Sequence, residues 1–250
     1  MFFPIRDHNP SSRIPFVTYA LLAANILIFI SYLGLFSDPR ALGEFYQTWG
    51  LVPAKLSQGG GYHGLITSMF LHGGIWHLVG NMLFLWIFGD NLEDQMGHTP
   101  FLGFYLLGGI GAGLLQYITA PFTWVPMIGA SGAVAAVLGG YLLLFPRARV
   151  DILLALVIYF RIFTVPAWVM LCLWFGMQIF NGVVSFGSGD AGVAYWAHAG
   201  GFVVGLVVVY PLWVRRGGRA FWARSDGHPD HPEAQYRYVR TSVPRTGKRR

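Results

Sequence analysis

The stretch QMGHTPFLGFYLLGGIGAGLLQYITAPFTWVPMIGASGAVAAVLGGYLLLFP, Gln95 to Pro146, runs for 52 residues without an Asp, Glu, Lys or Arg. A helix crossing a bilayer core about 30 Å thick needs about 20 such residues, so this stretch is too long for one crossing. Pro121 and Pro126 divide it, and proline ends helices, which predicts two helices joined by a loop. Outward from there the pattern repeats. Pro15–Phe36, Leu56–Gly89, Ile162–Gly189 and Ala191–Val214 are uncharged as well. Gly59-Gly60-Gly61 opens the second of these, which leaves its helix to the later part. The resulting expectation is an all-α, polytopic membrane protein with six helices, near 15–36, 75–92, 100–119, 130–145, 165–185 and 195–214.

Composition agrees. Of 250 residues, 54% are hydrophobic and 11% charged, where a soluble domain carries about 25% charged residues. A chain this poor in polar groups cannot cover a water-soluble globule. Gly, at 33 residues, is about twice its usual share, as closely packed membrane helices require. The single cysteine, Cys172, excludes an internal disulfide and a cysteine metal cluster. No metal or other cofactor is expected.

The net charge of +6 comes from the end of the chain, where ten of the seventeen Lys and Arg lie beyond residue 214. Nucleic acid is therefore not an expected partner. Six crossings put both termini on one side, together with Arg6, Arg13, Arg147, Arg149, Arg161 and those ten, against Arg40 and Lys55 on the other. The positive-inside rule makes the first side cytoplasmic. The expected organisation is a cytoplasmic N-terminus over 1–14, a membrane domain over 15–214 and a basic, disordered cytoplasmic tail over 215–250, able to touch anionic lipid. Segment 151–161 reads as an interfacial hairpin or a helix extension. The first helix is read as permanent rather than a cleaved signal, and a bacterial inner (plasma) membrane is the expected location.

Polar residues inside spans are functional hypotheses by default. Here they are His77, Asn81, Ser131 and His198, with Asn25 and Gln178 elsewhere. Ser131, His198 and His77 each lie 13 to 15 residues before the inner end of their helix. At 1.5 Å per residue that is one plane, about 20 Å above the inner boundary. Gly132, Ala136 and Gly140 form a small-residue stripe on the fourth helix, and Ala197, Gly201 and Gly205 form another on the sixth. Stripes of this kind let backbones approach closely. Ser131 and His198 adjoin the tops of the two stripes, so packing the stripes brings hydroxyl and imidazole within reach. An imidazole so placed takes the serine proton and returns it to a leaving amine. Ser131 opens its helix, where backbone N–H groups favour developing negative charge. His77 and Asn81, at i and i+4, share a face and can donate toward a common point. Every Asp and Glu lies in a loop, terminus or boundary position, so the arrangement is a Ser–His dyad. Gln178 reads equally well as a gate-lining residue or as packing.

At this point the residues resemble the rhomboid family of intramembrane serine proteases. Gly129-Ala130-Ser131-Gly132 is similar to its G-x-S-G motif, and Ala197-His198 with Gly201 and Gly205 to its A-H-x-x-G-x-x-x-G helix. His72, His77 and Asn81 fit H-x₄-H-x₃-N, and Glu93 with Gly97 fits E-x-x-x-G. The resemblance covers about 15–214 and implies an endopeptidase that cleaves transmembrane segments of other membrane proteins. Ser131 would be nucleophile, His198 base, and His77, Asn81 and the Ser131 N–H the oxyanion site. Gly129, Gly132, Gly201, Gly205, His72 and Glu93 would serve the motifs and packing. The resemblance also implies that segment 38–71 lies in the outer leaflet and that 165–194 forms a lateral gate. Two positions depart from the family. Tyr62-His63 stands where many members carry Trp-Arg, and Ala135 where some carry a tyrosine that stacks on the catalytic histidine. Another group must then orient His198. The competing readings are a catalytically silent client-binding relative, a histidine-relay transporter and a zinc protease. The last two lack intramembrane carboxylates and an H-E-x-x-H motif respectively.

Overall fold

A computed structural model describes residues 2–156, 159–185 and 194–225. The N-terminal strand β1 (Phe2–Asp7) leads into α1 (Phe16–Ser31). Five short helices follow, among them α2 (Pro39–Trp49), α3 (Pro53–Ser57) and α4 (Gly64–Thr67). Long helices α5 (Ile75–Met96), α6 (His98–Thr119) and α7 (Ser131–Leu144) come next, then strands β2 (Arg149–Leu156) and β3 (Tyr159–Pro166). Helices α8 (Ala167–Val184), α9 (Tyr195–Arg215) and α10 (Arg219–Ser225) complete the described chain.

All six expected helices are present within a few residues of their expected ends. Three of them, α6, α8 and α9, are long and apolar enough to cross a membrane. A fourth crossing results if Gly64–Phe70 and α5, bent by 96° at a break, count as one span. The apolar helices α1 and α7, of 16 and 14 residues, fall short of the length a bilayer core takes.

The all-α expectation is corrected by an antiparallel sheet in the order β1-β2-β3. Segment 151–161 is part of a hairpin, not a helix extension: Ile152 pairs with Phe163, and Leu153 with Ile162. The N-terminus, expected only as a cytoplasmic arm, adds β1 through Phe3 opposite Leu153, with an irregularity between Pro4 and Arg6. Alternation explains the sheet, since Val150 and Ile152 turn to the core while Ile162 turns out. The disordered-tail expectation is corrected where the tail is described. After Gly217 and Gly218, both at positive φ, the chain reverses into α10. Phe221 is buried there, and the Trp222 indole donates to the Leu143 carbonyl at 3.0 Å. These aromatics are core material that the basic average of the segment conceals. Residues 226–250, and residues 186–193 of the expected gate loop, lie outside the described residues.

The core sits where α7 is enclosed by α5, α6 and α9. Nearly all of α7 is buried. A methyl group added at Gly139 would collide with the Phe202 carbonyl, one at Gly201 with that of Gly132, and one at Gly205 with that of Ala136. The two predicted stripes therefore meet backbone to backbone. A second fixture joins three helices at their other end. The buried Glu93 of α5 accepts from the Val17 N–H (2.8 Å), the Thr18 N–H (2.7 Å) and the Thr18 hydroxyl (2.7 Å), and bonds His98 Nδ1 at the start of α6 (2.5 Å). It closes the first turn of α1, which its own N-cap residue, Pro15, leaves without a side-chain cap.

Candidate active site

Gly129, at φ +129°, turns the chain into α7 through a conformation that side chains disfavour. A Cβ there would also stand 2.8 Å from Cε1 and Nε2 of His77. The absence of a side chain lets Ser131, the first residue of α7, share a cavity with His77. Across it, α9 presents His198, whose Nε2 lies 2.8 Å from the Ser131 Oγ. The close α7–α9 approach is what brings these two within hydrogen-bond distance.

The cavity has a volume of about 530 Å³ and is lined by His77, Asn81, Ser131 and His198, with Trp76 and Trp174 among the apolar walls. The three residues expected in one plane, and Asn81 on the same face as His77, therefore line one space. His77 Nδ1 accepts from the Gly73 N–H at 3.2 Å, which leaves the ring proton on Nε2, the nitrogen on the Gly129 side. Asn81 donates to the His77 carbonyl one turn back, at 2.9 Å. His72 lies beneath. Its imidazole is fully buried with both nitrogens lacking a protein partner, and its ring centre is 5.1 Å from that of His77. Its main chain is held more firmly, since the hydroxyls of Tyr32 (3.0 Å) and Tyr46 (2.8 Å) both donate to its carbonyl.

Two contacts hold the imidazole, in place of the aromatic that Ala135 does not supply. The Trp174 ring lies 5.9 Å from that of His198, tilted by 33°. Gln178, one turn further along α8, places its Oε1 2.9 Å from His198 Nδ1. Sequence reasoning left Gln178 undecided. The signal was an uncharged polar residue in a largely apolar span, one helical turn from a tryptophan. Asn25 donates to the Leu21 carbonyl within α1 and is not among the residues lining the cavity. Among the described residues, no carboxylate lines the cavity and no group of three or more His, Cys, Asp or Glu gathers as a metal site.

In chemical terms the space holds a hydroxyl bonded to an imidazole, an N–H of a second imidazole and a helix N-terminus. Such a set can activate an oxygen nucleophile and stabilise an oxyanion.

Comparison with known proteins agrees with this geometry. The family model of the Rhomboid domain matches residues 59–215. Rhomboid protein 1, mitochondrial, of Saccharomyces cerevisiae is 31% identical over 202 residues, covering 76% of this chain and 51% of that protein. RHOMBOID-like protein 12, mitochondrial, of Arabidopsis thaliana is 28% identical, covering 81% of this chain and 59% of its own length. Rhomboid protease GluP of Bacillus subtilis is 34% identical, covering 51% of this chain and 24% of its own. The matched region thus spans between about a quarter and three-fifths of these relatives. Two of the three carry mitochondrial names, which stands against the bacterial inner-membrane expectation. The match covers more than half of the 250 residues and includes the helices of both Ser131 and His198: the chain is an integral membrane protein of the rhomboid family.

Proposed function

We propose that the chain is an intramembrane serine endopeptidase acting on transmembrane segments of other proteins. The observation that carries the reading is the 2.8 Å contact between Ser131 Oγ and His198 Nε2 inside a cavity among the helices. In this reading the Ser131 oxygen attacks the scissile carbonyl carbon and its proton passes to His198 Nε2. The negative charge on the carbonyl oxygen is met by the Ser131 N–H, the His77 Nε2–H and the second amide hydrogen of Asn81. His198 then returns the proton to the leaving nitrogen as the C–N bond breaks, which leaves an acyl ester on Ser131. Water, deprotonated by the same imidazole, hydrolyses the ester and restores the hydroxyl.

The same proposal takes α1 and α7 as crossings alongside α5, α6, α8 and α9. Six crossings put both termini on the basic side of the membrane. The large exposed side chains of α8, such as Leu173, Met177 and Phe180, then face lipid or an arriving substrate helix. The test is cleavage of a helix-destabilised transmembrane substrate by purified protein in liposomes. Wild type is expected to cut and Ser131→Ala to leave the substrate intact. Normal cleavage by Ser131→Ala would sink the proposal. Failure of a fluorophosphonate to label folded wild type would favour a silent, client-binding relative.

A further inference from the structure

An imidazole accepts a proton at Nε2 only when its own proton sits on Nδ1, and that N–H needs an acceptor in a dry site. Gln178 Oε1 stands 2.9 Å from His198 Nδ1. A carboxamide oxygen can only accept, so this contact requires the proton on Nδ1 and leaves the Nε2 lone pair for the Ser131 hydroxyl, 2.8 Å away. The other end of the amide agrees, because its NH₂ donates to the Trp174 carbonyl at 3.4 Å. A flipped amide would set N–H against N–H at His198. Among the described residues, the only other titratable side chain lining the cavity is His77.

We propose that Gln178 is the positioning residue of the site: a neutral third member that fixes the tautomer and orientation of His198. The inference rests on the serine-protease reading and deepens it. Its consequence comes from where Gln178 resides. Ser131 and His198 belong to α7 and α9, which are locked together by their glycines, whereas Gln178 and Trp174 belong to α8. In α8, 22% of the spanning window is buried, against 39% in α6 and in α9. One face of this loosely held helix therefore grips the imidazole by its ring and by its Nδ1–H. A displacement of α8 by about 1 Å takes the amide out of hydrogen-bond range. The base is competent toward serine only while α8 sits against α9, so the position of α8 reports directly to the dyad.

The experiment compares wild type, Gln178→Leu, Gln178→Ala and Gln178→Glu as full chains in liposomes. It reads kcat and KM on the transmembrane substrate, and separately the rate at which a fluorophosphonate labels Ser131. Leu and Ala are expected to lower kcat and the labelling rate together by about 10–100-fold, the range for losing a hydrogen bond to a group that becomes charged, with KM within twofold. Leu fits an apolar helix, so its melting temperature should match wild type. Glu restores an acceptor at the same reach. It should recover most of the rate at alkaline pH, with the acid limb of the profile moved upward because a carboxylate favours the imidazolium. A role in packing alone would not be rescued by a charged residue. Labelling and kcat of Gln178→Leu within twofold of wild type would overturn the proposal while leaving the protease reading standing. Absence of Ser131 labelling in wild type would overturn both.

Discussion

The two ends of α7 hold polar groups to opposite purposes. At the first residue, the Ser131 hydroxyl faces a cavity of about 530 Å³ and bonds an imidazole whose partner is a neutral amide. Ten residues on, the fully buried Tyr141 hydroxyl donates to Asp7 Oδ2 of β1 at 2.8 Å and receives the Asn9 amide at 3.2 Å. Asn91 of α5 donates to the same Asp7 oxygen at 2.9 Å. The upper set directs its polar atoms into a space that a ligand can enter. The lower set bonds its members to one another, fastening β1 to α5 and α7, although Asp7 and Asn9 also line a second cavity of about 460 Å³. Polar groups in a lipid-facing bundle are costly unless paired; the lower end pairs them across three elements of the fold, and the upper end leaves a nucleophile facing open space. Substitutions at the upper end should therefore change chemistry more than stability, and those at the lower end the reverse.

The sharpest test of that division is His198→Ala. Cleavage is expected to fall by about 10⁶-fold, as when a serine nucleophile loses its base, while the melting temperature in detergent stays within about 2 °C of wild type. A large loss of stability would break the comparison. Next comes His77→Ala, for which loss of one oxyanion donor predicts about a 10²–10³-fold fall in kcat, again measured beside the melting curve. At the lower end, Tyr141→Phe removes the donor to a buried carboxyl. It should cost about 1–3 kcal/mol in a denaturation assay and change kcat by less than about threefold.

The smallest effect is a dependence on pH. Burial pushes the Asp7 carboxyl up to about 7 from its ordinary 3.8, with the neighbouring Asp90 adding to the rise and the bonds from Tyr141 and Asn91 opposing it. A raised value means that folding favours the protonated acid. The stabilisation is then complete below about pH 4 and is lost as pH climbs through 7. Asp7→Asn keeps an oxygen to accept from Tyr141 and Asn91. Wild type should melt lower at pH 8 than at pH 5, and Asp7→Asn should narrow that difference.

How much of this was legible follows the range of the interactions. Helix positions were legible because an uncharged run is a local property and Pro121 and Pro126 punctuate the longest one. Ser131 and His198 were legible together, because two small-residue stripes and a shared depth turn a long-range contact into two local patterns. Gln178 was not, because whether an amide on α8 meets Nδ1 of His198 or only packs depends on helix rotation, which an apolar helix with little amphipathic contrast does not announce. The sheet was hidden for a different reason. FFPIRD is six residues long, and its partner around Leu153 is about 150 positions away. The helix after Gly218 was masked by the four arginines of 215–225, against the two aromatics that anchor it.

The carboxylate of Glu93 gives α1 a dependence that its own sequence does not contain. The backbone N–H groups of Val17 and Thr18 find their acceptor 76 and 75 positions later in the chain. A ribosome adding about 5–20 residues per second takes about 4–15 s to cover that distance. For that interval the first helix waits with an open end, available to whatever acceptor stands beside it, and its N-terminal N–H groups are satisfied only when α5 arrives.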